Sequence, residues 1–386
     1  MSRAVVLGGT GLIGRATARR LLAAGWEVTV VGRDASRMPE DVAIAGGRFV
    51  AADRGEPGGL AAALGAGADL VVDCLCFTAE HARDLLPLLD DVGSTVMISS
   101  KAVYVDAAGN HVNSAAAPEF DGPIRESQPT MDPREDLDYR TRDGYGANKV
   151  AAERVLLDSG HPVTVLRPSK VHGEGAAKPG EWVFVKRVLD RREVLLLSRG
   201  GRGVDHPSAA GNIAALIETA ANNPGRRVLN CADPDAPDAL DISRTIARHF
   251  GHWWEEVLLD DDAPAGLGLH HWDRIPGIRL DMTAAGRLGY RPAGDYATTV
   301  TAELDWLVSS AGPDTSQQPG FDHEYFAPMV NYAAEDDYLA TLPRNDRFSP
   351  RPPQATPAAW PAVPAGPRPR VSPGSGPCGA PRSCLR

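Results

Sequence analysis

Little in this sequence points to a membrane, an oxidising compartment or a nucleic-acid partner. No apolar run approaches the roughly twenty residues that cross a bilayer, and the chain passes straight into an apolar stretch at Ala4 without the preamble of a secretory signal. Cysteine is scarce. The five, Cys74, Cys76, Cys231, Cys378 and Cys384, are an odd number with no paired C-x-x-C spacing, so neither a disulfide framework nor a zinc site is expected. Positive charge is in deficit as well: the formal net charge is -10, which argues against general binding to nucleic acid, where neutralising phosphates needs a basic face. The expectation is a cytoplasmic protein with reduced thiols, no metal and a small-molecule partner. Apolar content, by contrast, is ample. With 43% hydrophobic residues over 386 positions, the chain can bury a large core and form a two-lobed enzyme.

Short β-branched or apolar runs recur at residues 4–7, 27–31, 47–51, 69–73, 95–99 and 162–166, and segments with helical spacing lie between them, notably 79–89 and 144–157. Alternation of this kind predicts an α/β fold, a doubly wound Rossmann-type parallel sheet whose ligands gather at the carboxyl ends of its strands. The first strand breaks into Gly8-Gly9-Thr10-Gly11-Leu12-Ile13-Gly14 before a helix begins. In that pattern Gly8 turns the backbone, Gly11 leaves room for a pyrophosphate, Gly14 packs the helix on the strand, and Thr10, Leu12 and Ile13 complete the cradle. The helix then offers its opening amides to an anion. About twenty residues on, where an acidic residue usually holds the ribose 2′-hydroxyl, the first side chain is Arg33. A guanidinium suits a 2′-phosphate, so NADP is expected, with Arg37 as a second contact; the alternative is NAD, with Arg33 on the adenine and Asp34 on the hydroxyl. Asp53 is placed to accept from the adenine amino group, or else to cap the next helix.

The fifth strand ends in Ser99-Ser100-Lys101-Ala102-Val103-Tyr104, and further on Tyr145 and Lys149 lie four residues apart, on one helix face. A phenol is a poor base at neutral pH until positive charge stabilises the phenolate, and Lys149 carries that charge. With Pro123-Ile124-Arg125-Glu126, Leu166-Arg167-Pro168-Ser169-Lys170-Val171-His172-Gly173 and Leu288-Gly289-Tyr290-Arg291-Pro292 following in order, the first 310 or so residues resemble an extended short-chain dehydrogenase/reductase. That is the family of NAD-dependent epimerases and dehydratases acting largely on nucleotide sugars. The resemblance implies Tyr145 as general acid/base, Lys149 as its electrostatic partner and cofactor-ribose ligand, and Ser100 as the hydroxyl on the substrate oxygen. It also allows a homodimer. Three positions depart from the pattern: Lys170 and His172 stand where an asparagine and a tyrosine are common, and Asp73 replaces a usual histidine. Lys170 reads either as a ligand for a phosphate or carboxylate or as a surface lysine, and His172 as a packed imidazole or a second proton shuttle.

The expected organisation is a nucleotide-binding domain over 1–170, a substrate lobe over 171–311 with elements returning to the main domain, a docking segment over 312–342 and a disordered Pro/Arg-rich tail over 343–386. The long polar segment from Val105 to Asp143 reads as part of a substrate lid. Arg202 and His206 could meet a phosphate; Trp253, Trp254 and Trp272 could stack on a ring or fill space between lobes. The activity expected is that of an NAD(P)-dependent reductase or epimerase, against the alternative of a catalytically silent nucleotide-sensing or RNA-binding relative.

Overall fold

The structure, a computed structural model, describes residues 2–311 and 323–342. The tail expected over 343–386, and part of the segment expected to dock, lie outside them. Seven strands form one parallel sheet in the order β10-β6-β5-β4-β1-β2-β3. They are β1 (Arg3–Leu7), β2 (Glu27–Gly32), β3 (Arg48–Ala51), β4 (Ala68–Asp73), β5 (Val92–Ile98), β6 (Val163–Pro168) and, much later in the chain, β10 (Arg227–Cys231). Between them run α1 (Leu12–Ala23), α2 (Glu40–Ile44), α3 (Gly59–Leu64), α4 (Ala79–Leu85) and α5 (Arg142–Leu157).

Successive side chains of a strand point to opposite faces, so a sheet covered on both sides needs continuous apolar strands. The interior obeys this alternation. Val6, Val30, Val72, Val96 and Ile98 pack on one face with Ala18 and Leu21 of α1 and with Ile213, Leu216 and Ile217 of a later helix. Val5, Val31, Val71 and Met97 pack on the other with Leu60 and Leu64 of α3, Leu85 of α4 and Leu156 of α5. Every strand run expected from the sequence is present, within a few residues at its ends. Strand β10 is an addition: its five residues pair in parallel register with Thr164–Pro168.

After β6 come the short strands β7 (Lys170–His172), β8 (Val194–Leu197), β9 (Pro207–Ala209) and β11 (Glu255–Leu258), with α6 (Trp182–Leu189), α7 (Ala210–Ala221) and α8 (Ala239–His249). The pairs β7–β9 and β8–β11 make two small parallel sheets. A separate core of Trp182, Phe184, Trp254, Trp272 and Tyr296 fills this region, so Trp254 and Trp272 serve packing. Of the closing helices, α9 (Thr283–Arg287) buries Ala285 in the core of the main sheet, whereas α10 (Tyr296–Thr299) and α11 (Thr301–Ser310) return toward this second core, followed by α12 (His323–Phe326) and α13 (Tyr332–Thr341). Arg187 of α6 is buried against Glu335 of α13. No helix among the described residues is long and apolar enough to cross a membrane.

Candidate active site

Strand β1 ends at Leu7, and the turn that follows is compact because three glycines permit it. Gly8 has φ +77°, and a Cβ there would lie 2.9 Å from Leu75 Cγ, which brings the loop after β4 down onto the turn. A Cβ on Gly14 would come within 2.3 Å of the Gly8 carbonyl oxygen, so only glycine lets α1 start so close to the strand. Gly11 precedes α1 in extended conformation, and the helix opens with no side-chain cap and no acidic residue in its first turn. Its first amides are therefore available to an anion. Thr10 rests against the space left by Gly32, Leu12 leans toward Gly173, and Ile13 packs into the core. Arg15, which sequence reasoning passed over, bends back and donates to the Thr10 carbonyl at 3.2 Å. Burial lowers its pKa, with Glu174 opposing.

At the neighbouring strand ends, Arg33 is 80% exposed and its Nη1 lies 4.0 Å from Asp53 Oδ2. Asp34 is engaged locally: it accepts from the Ser36 hydroxyl and amide at 2.7 and 2.9 Å, bonds that hold its carboxyl below the usual range. Asp53 accepts from the amide of Gly55 at 3.0 Å with one oxygen and faces Arg33 with the other. Asp73, at the end of β4, is fully buried and gripped by Arg54 Nη1 at 2.9 and 3.0 Å, while the second Arg54 nitrogen donates to the His81 carbonyl at 2.7 Å. This pair fixes the 73–77 loop that covers the glycine turn. Cys74 and Cys76 in it are free thiols pushed up to about 12 by burial beside Asp73, which leaves them unreactive.

Tyr145 is positioned by the glycines on either side of it. A Cβ on Gly144 would meet the Asp138 carbonyl oxygen at 2.1 Å, and one on Gly146 would meet the Ala102 carbonyl oxygen at 2.5 Å. The start of α5 is thereby pressed against the turn that follows Ser100. Thr141 caps the helix, accepting from the Gly144 amide at 3.0 Å. Ser100 Oγ accepts from the Ala102 amide at 3.1 Å, whereas the buried Ser99 hydroxyl donates to Glu153. Of the two serines, Ser100 is the one less committed to the interior.

Lys149 is buried, and its Nζ donates to the carbonyls of Cys76 and Ile98 at 2.8 Å each, tying α5 to the ends of β4 and β5. It also sits 4.3 Å from the centre of the Phe77 ring, which stacks on Tyr139. Phe77, Asn113, Tyr139, Arg140, Thr141, Arg142 and Tyr145 line a cleft of about 360 Å³. Asn113 and residues 139–142 belong to the long polar segment. A larger hollow of about 610 Å³, lined by Arg244, Arg248, Trp253 and Trp254 among others, shares no residue with it.

His172 is sequestered rather than facing a substrate. Its Nε2 meets Asp233 Oδ2 at 2.9 Å, and its Nδ1 lies 3.5 Å from Glu303. Burial would lower its pKa, but the two carboxylates outweigh burial and raise it to about 10. Glu303 is raised in turn by burial and by Glu181, which accepts from the Tyr296 hydroxyl at 3.1 Å. Ligand-type atoms of His172, Glu181 and Glu303 lie within 4.8 Å of one another, a grouping that sequence spacing did not reveal. Its protons have a stability consequence. A His pKa raised above its unfolded value of about 6.5 gives stability that is complete below that pH and lost as pH rises through 10; the raised Glu303 acts in the same direction. Unfolding free energy from urea titrations is expected to fall between pH 6.5 and 10, and His172→Gln to flatten that fall; an unchanged slope in the variant would contradict it.

His206 is likewise structural: its Nε2 faces the Asp233 carbonyl at 2.9 Å and its Nδ1 accepts from the Leu280 amide at 3.0 Å. Arg202 is exposed, its Nε 3.3 Å from the Arg199 carbonyl. Lys170 is not a surface lysine, since its side chain is only 26% exposed and lies 3.5 Å from the buried Asp205.

A family model described as the NAD dependent epimerase/dehydratase family matches residues 4–231. Among solved structures, a UDP-glucose 4-epimerase from Thermotoga maritima, with UDP-glucose, superposes with a TM-score of 0.60 at 15% identity, covering 80% of this chain and 100% of that one. A UDP-glucuronic acid 4-epimerase from Bacillus cereus, in complex with UDP-glucuronic acid and NAD, gives a TM-score of 0.57 at 15% identity over 79% of this chain and 99% of that one. A UDP-N-acetylglucosamine 4-epimerase from the same organism gives 0.57 at 16% identity, over 80% and 99%. At such identities the likeness is one of fold. No curated protein matches the chain significantly.

Proposed function

The chain belongs to the NAD-dependent epimerase/dehydratase family, and from that premise we propose that it is a nicotinamide-dependent epimerase or reductase acting on a secondary alcohol or carbonyl of a nucleotide sugar or related metabolite. The observation that carries this reading is that Tyr145 lines a cleft, on a helix whose Lys149 is bonded to the end of β5 and to the loop after β4 that covers the glycine turn. The cradle fits a dinucleotide: Gly8 and Gly14 have no space for a Cβ, and α1 starts uncapped. When bound, the cofactor supplies hydride exchange at the substrate carbon.

In this reading Tyr145 moves a proton to or from the substrate oxygen through its phenol. Ser100 donates to or accepts from the same oxygen and so fixes its position. Lys149, held by the Cys76 and Ile98 carbonyls, stands one helical turn from the phenol on the same helix. The 105–143 segment closes the cleft over the substrate through Asn113, Tyr139 and Arg142. Mass spectrometry of small molecules released on denaturation tests the reading: retained NAD together with a sugar nucleotide supports epimerisation, and an absence of any nicotinamide binding refutes the assignment.

NADP is the preferred cofactor in this proposal, because the exposed Arg33 stands at the end of β2 with Asp34 already committed to its own turn. Charge-assisted hydrogen bonds to a phosphate contribute about 1.5–3 kcal/mol. Arg33→Ala is therefore expected to weaken NADPH binding roughly tenfold or more and leave NADH nearly unchanged, as read by fluorescence titration. Equal affinities for the two nucleotides in the wild-type protein would remove the case for Arg33.

A further inference from the structure

Three cations from distant parts of the chain converge on one carboxylate. Lys101 Nζ is in direct contact with Asp205, Lys170 Nζ lies 3.5 Å from the same side chain, and Arg274 Nε lies 3.8 Å from it. Lys101 and Asp205 are buried, at 7% and 2% exposure. Joining these segments structurally would need one cation. A second and a third add desolvation and mutual repulsion that a single carboxylate cannot offset. The repulsion is visible in the ammonium groups: burial, then Lys170 and Arg274, depress Lys101, and burial, then Arg274, push Lys170 down to about 7, with Glu181 opposing. Glu181 itself already takes a hydrogen bond from Tyr296.

The cluster sits at the reactive end of the sheet. Lys101 directly follows Ser100 at the end of β5, and Lys170 opens β7 just past β6, the neighbour of β5. Arg274 donates to the Val112 carbonyl at 2.8 Å, next to Asn113, which lines the Tyr145 cleft. Arg142, on the same cleft, is close enough to Arg274 to lower its pKa further, after burial.

We propose that Lys101, Lys170 and Arg274 receive a compact anionic group, a carboxylate or a phosphate, that the substrate carries close to its reacting carbon. The inference rests on the nicotinamide-dependent reading above and narrows its substrate to one charged near the reacting end, as opposed to a neutral sugar or alcohol. An anion there supplies the negative charge that the three cations lack, and the forked guanidinium of Arg274 suits two oxygens at once.

The test is thermal unfolding of the full-length protein saturated with NADP, so that the Arg33 site is filled, titrated at constant ionic strength with sodium malonate or with inorganic phosphate. A saturable rise in Tm is expected, and the more effective of the two tells carboxylate from phosphate. Lys170→Met and Arg274→Gln are each expected to weaken the apparent affinity roughly tenfold or more, with NADH fluorescence titrations unchanged to show that fold and cofactor site persist. Lys170→Arg, which keeps the charge, is expected to retain the response. No saturable response to either anion overturns the proposal, as does a response that both neutral variants preserve. Failure of the wild-type protein to bind any nicotinamide nucleotide refutes the underlying reading, an outcome distinct from an intact cofactor site indifferent to anions.

Discussion

Replacing Tyr145 by Phe is expected to lower turnover about 10²- to 10⁴-fold, the range usual for loss of a positioned acid or base, while NADH titrates as in the wild type. Tyr145 is half-buried on the cleft, so deleting one oxygen removes the phenolic proton proposed to transfer and leaves the ring in place. The glycines flanking it, which set the helix against residues 102 and 138, are untouched by the change. Steady-state kinetics on a carbonyl or sugar-nucleotide substrate provides the measurement. A loss below tenfold would mean that another group moves the proton and would end the assignment.

The second large effect concerns stability. Glu153 on α5 is buried and holds Arg167 of β6 through two hydrogen bonds, one of 3.0 Å, and also accepts from Ser99. Arg167 in turn faces the Tyr104 ring, 4.9 Å from its centre, and the Tyr104 hydroxyl donates to Asn230 of β10 at 2.7 Å. Truncating Glu153 to Ala leaves a buried guanidinium without its counter-charge, a change that costs about 3–5 kcal/mol. Urea denaturation is expected to show that loss, whereas the double replacement Glu153→Leu with Arg167→Met removes both charges and is expected to recover much of it. A single-mutant loss under about 1 kcal/mol, the scale of an exposed pair, would show that water reaches the site.

What the sequence discloses here is what depends on neighbours in the chain. The apolar period marked six strands, the glycine spacing marked the turn, and Tyr145 and Lys149 fall on one helical face by position alone. What it conceals depends on pairing across distance. Strand β10 is five residues, Arg-Val-Leu-Asn-Cys, just after Pro224-Gly225; its only local signal is a short apolar run after turn residues, and its partner β6 lies about 60 residues earlier. The commitment of Ser99 to Glu153, and the meeting of Lys101, Lys170 and Arg274 at Asp205, join segments about 35 to 170 residues apart. Lys170 could be read as surface or ligand from sequence because nothing local reports its burial. Asp73 departs from the expected histidine with a partner, Arg54, that only the folded chain brings to it.

The pairing of β10 with β6 bears on how this protein could be divided. A cut near residue 170 looks natural from the sequence, since the nucleotide cradle and the Ser-Tyr-Lys set all precede it. Such a fragment would lack the seventh strand, bare the edge of β6, and lose Asn230, which links Tyr104 to the Ile124 carbonyl. It would also lose α7, whose Ile213, Leu216 and Ile217 cover one face of the sheet. Residues 1–170 are therefore not a portable cassette. Swapping substrate lobes between relatives would have to leave residues 210–231 and α9 with the first half, so the interchangeable unit is discontinuous in sequence and not a single C-terminal block.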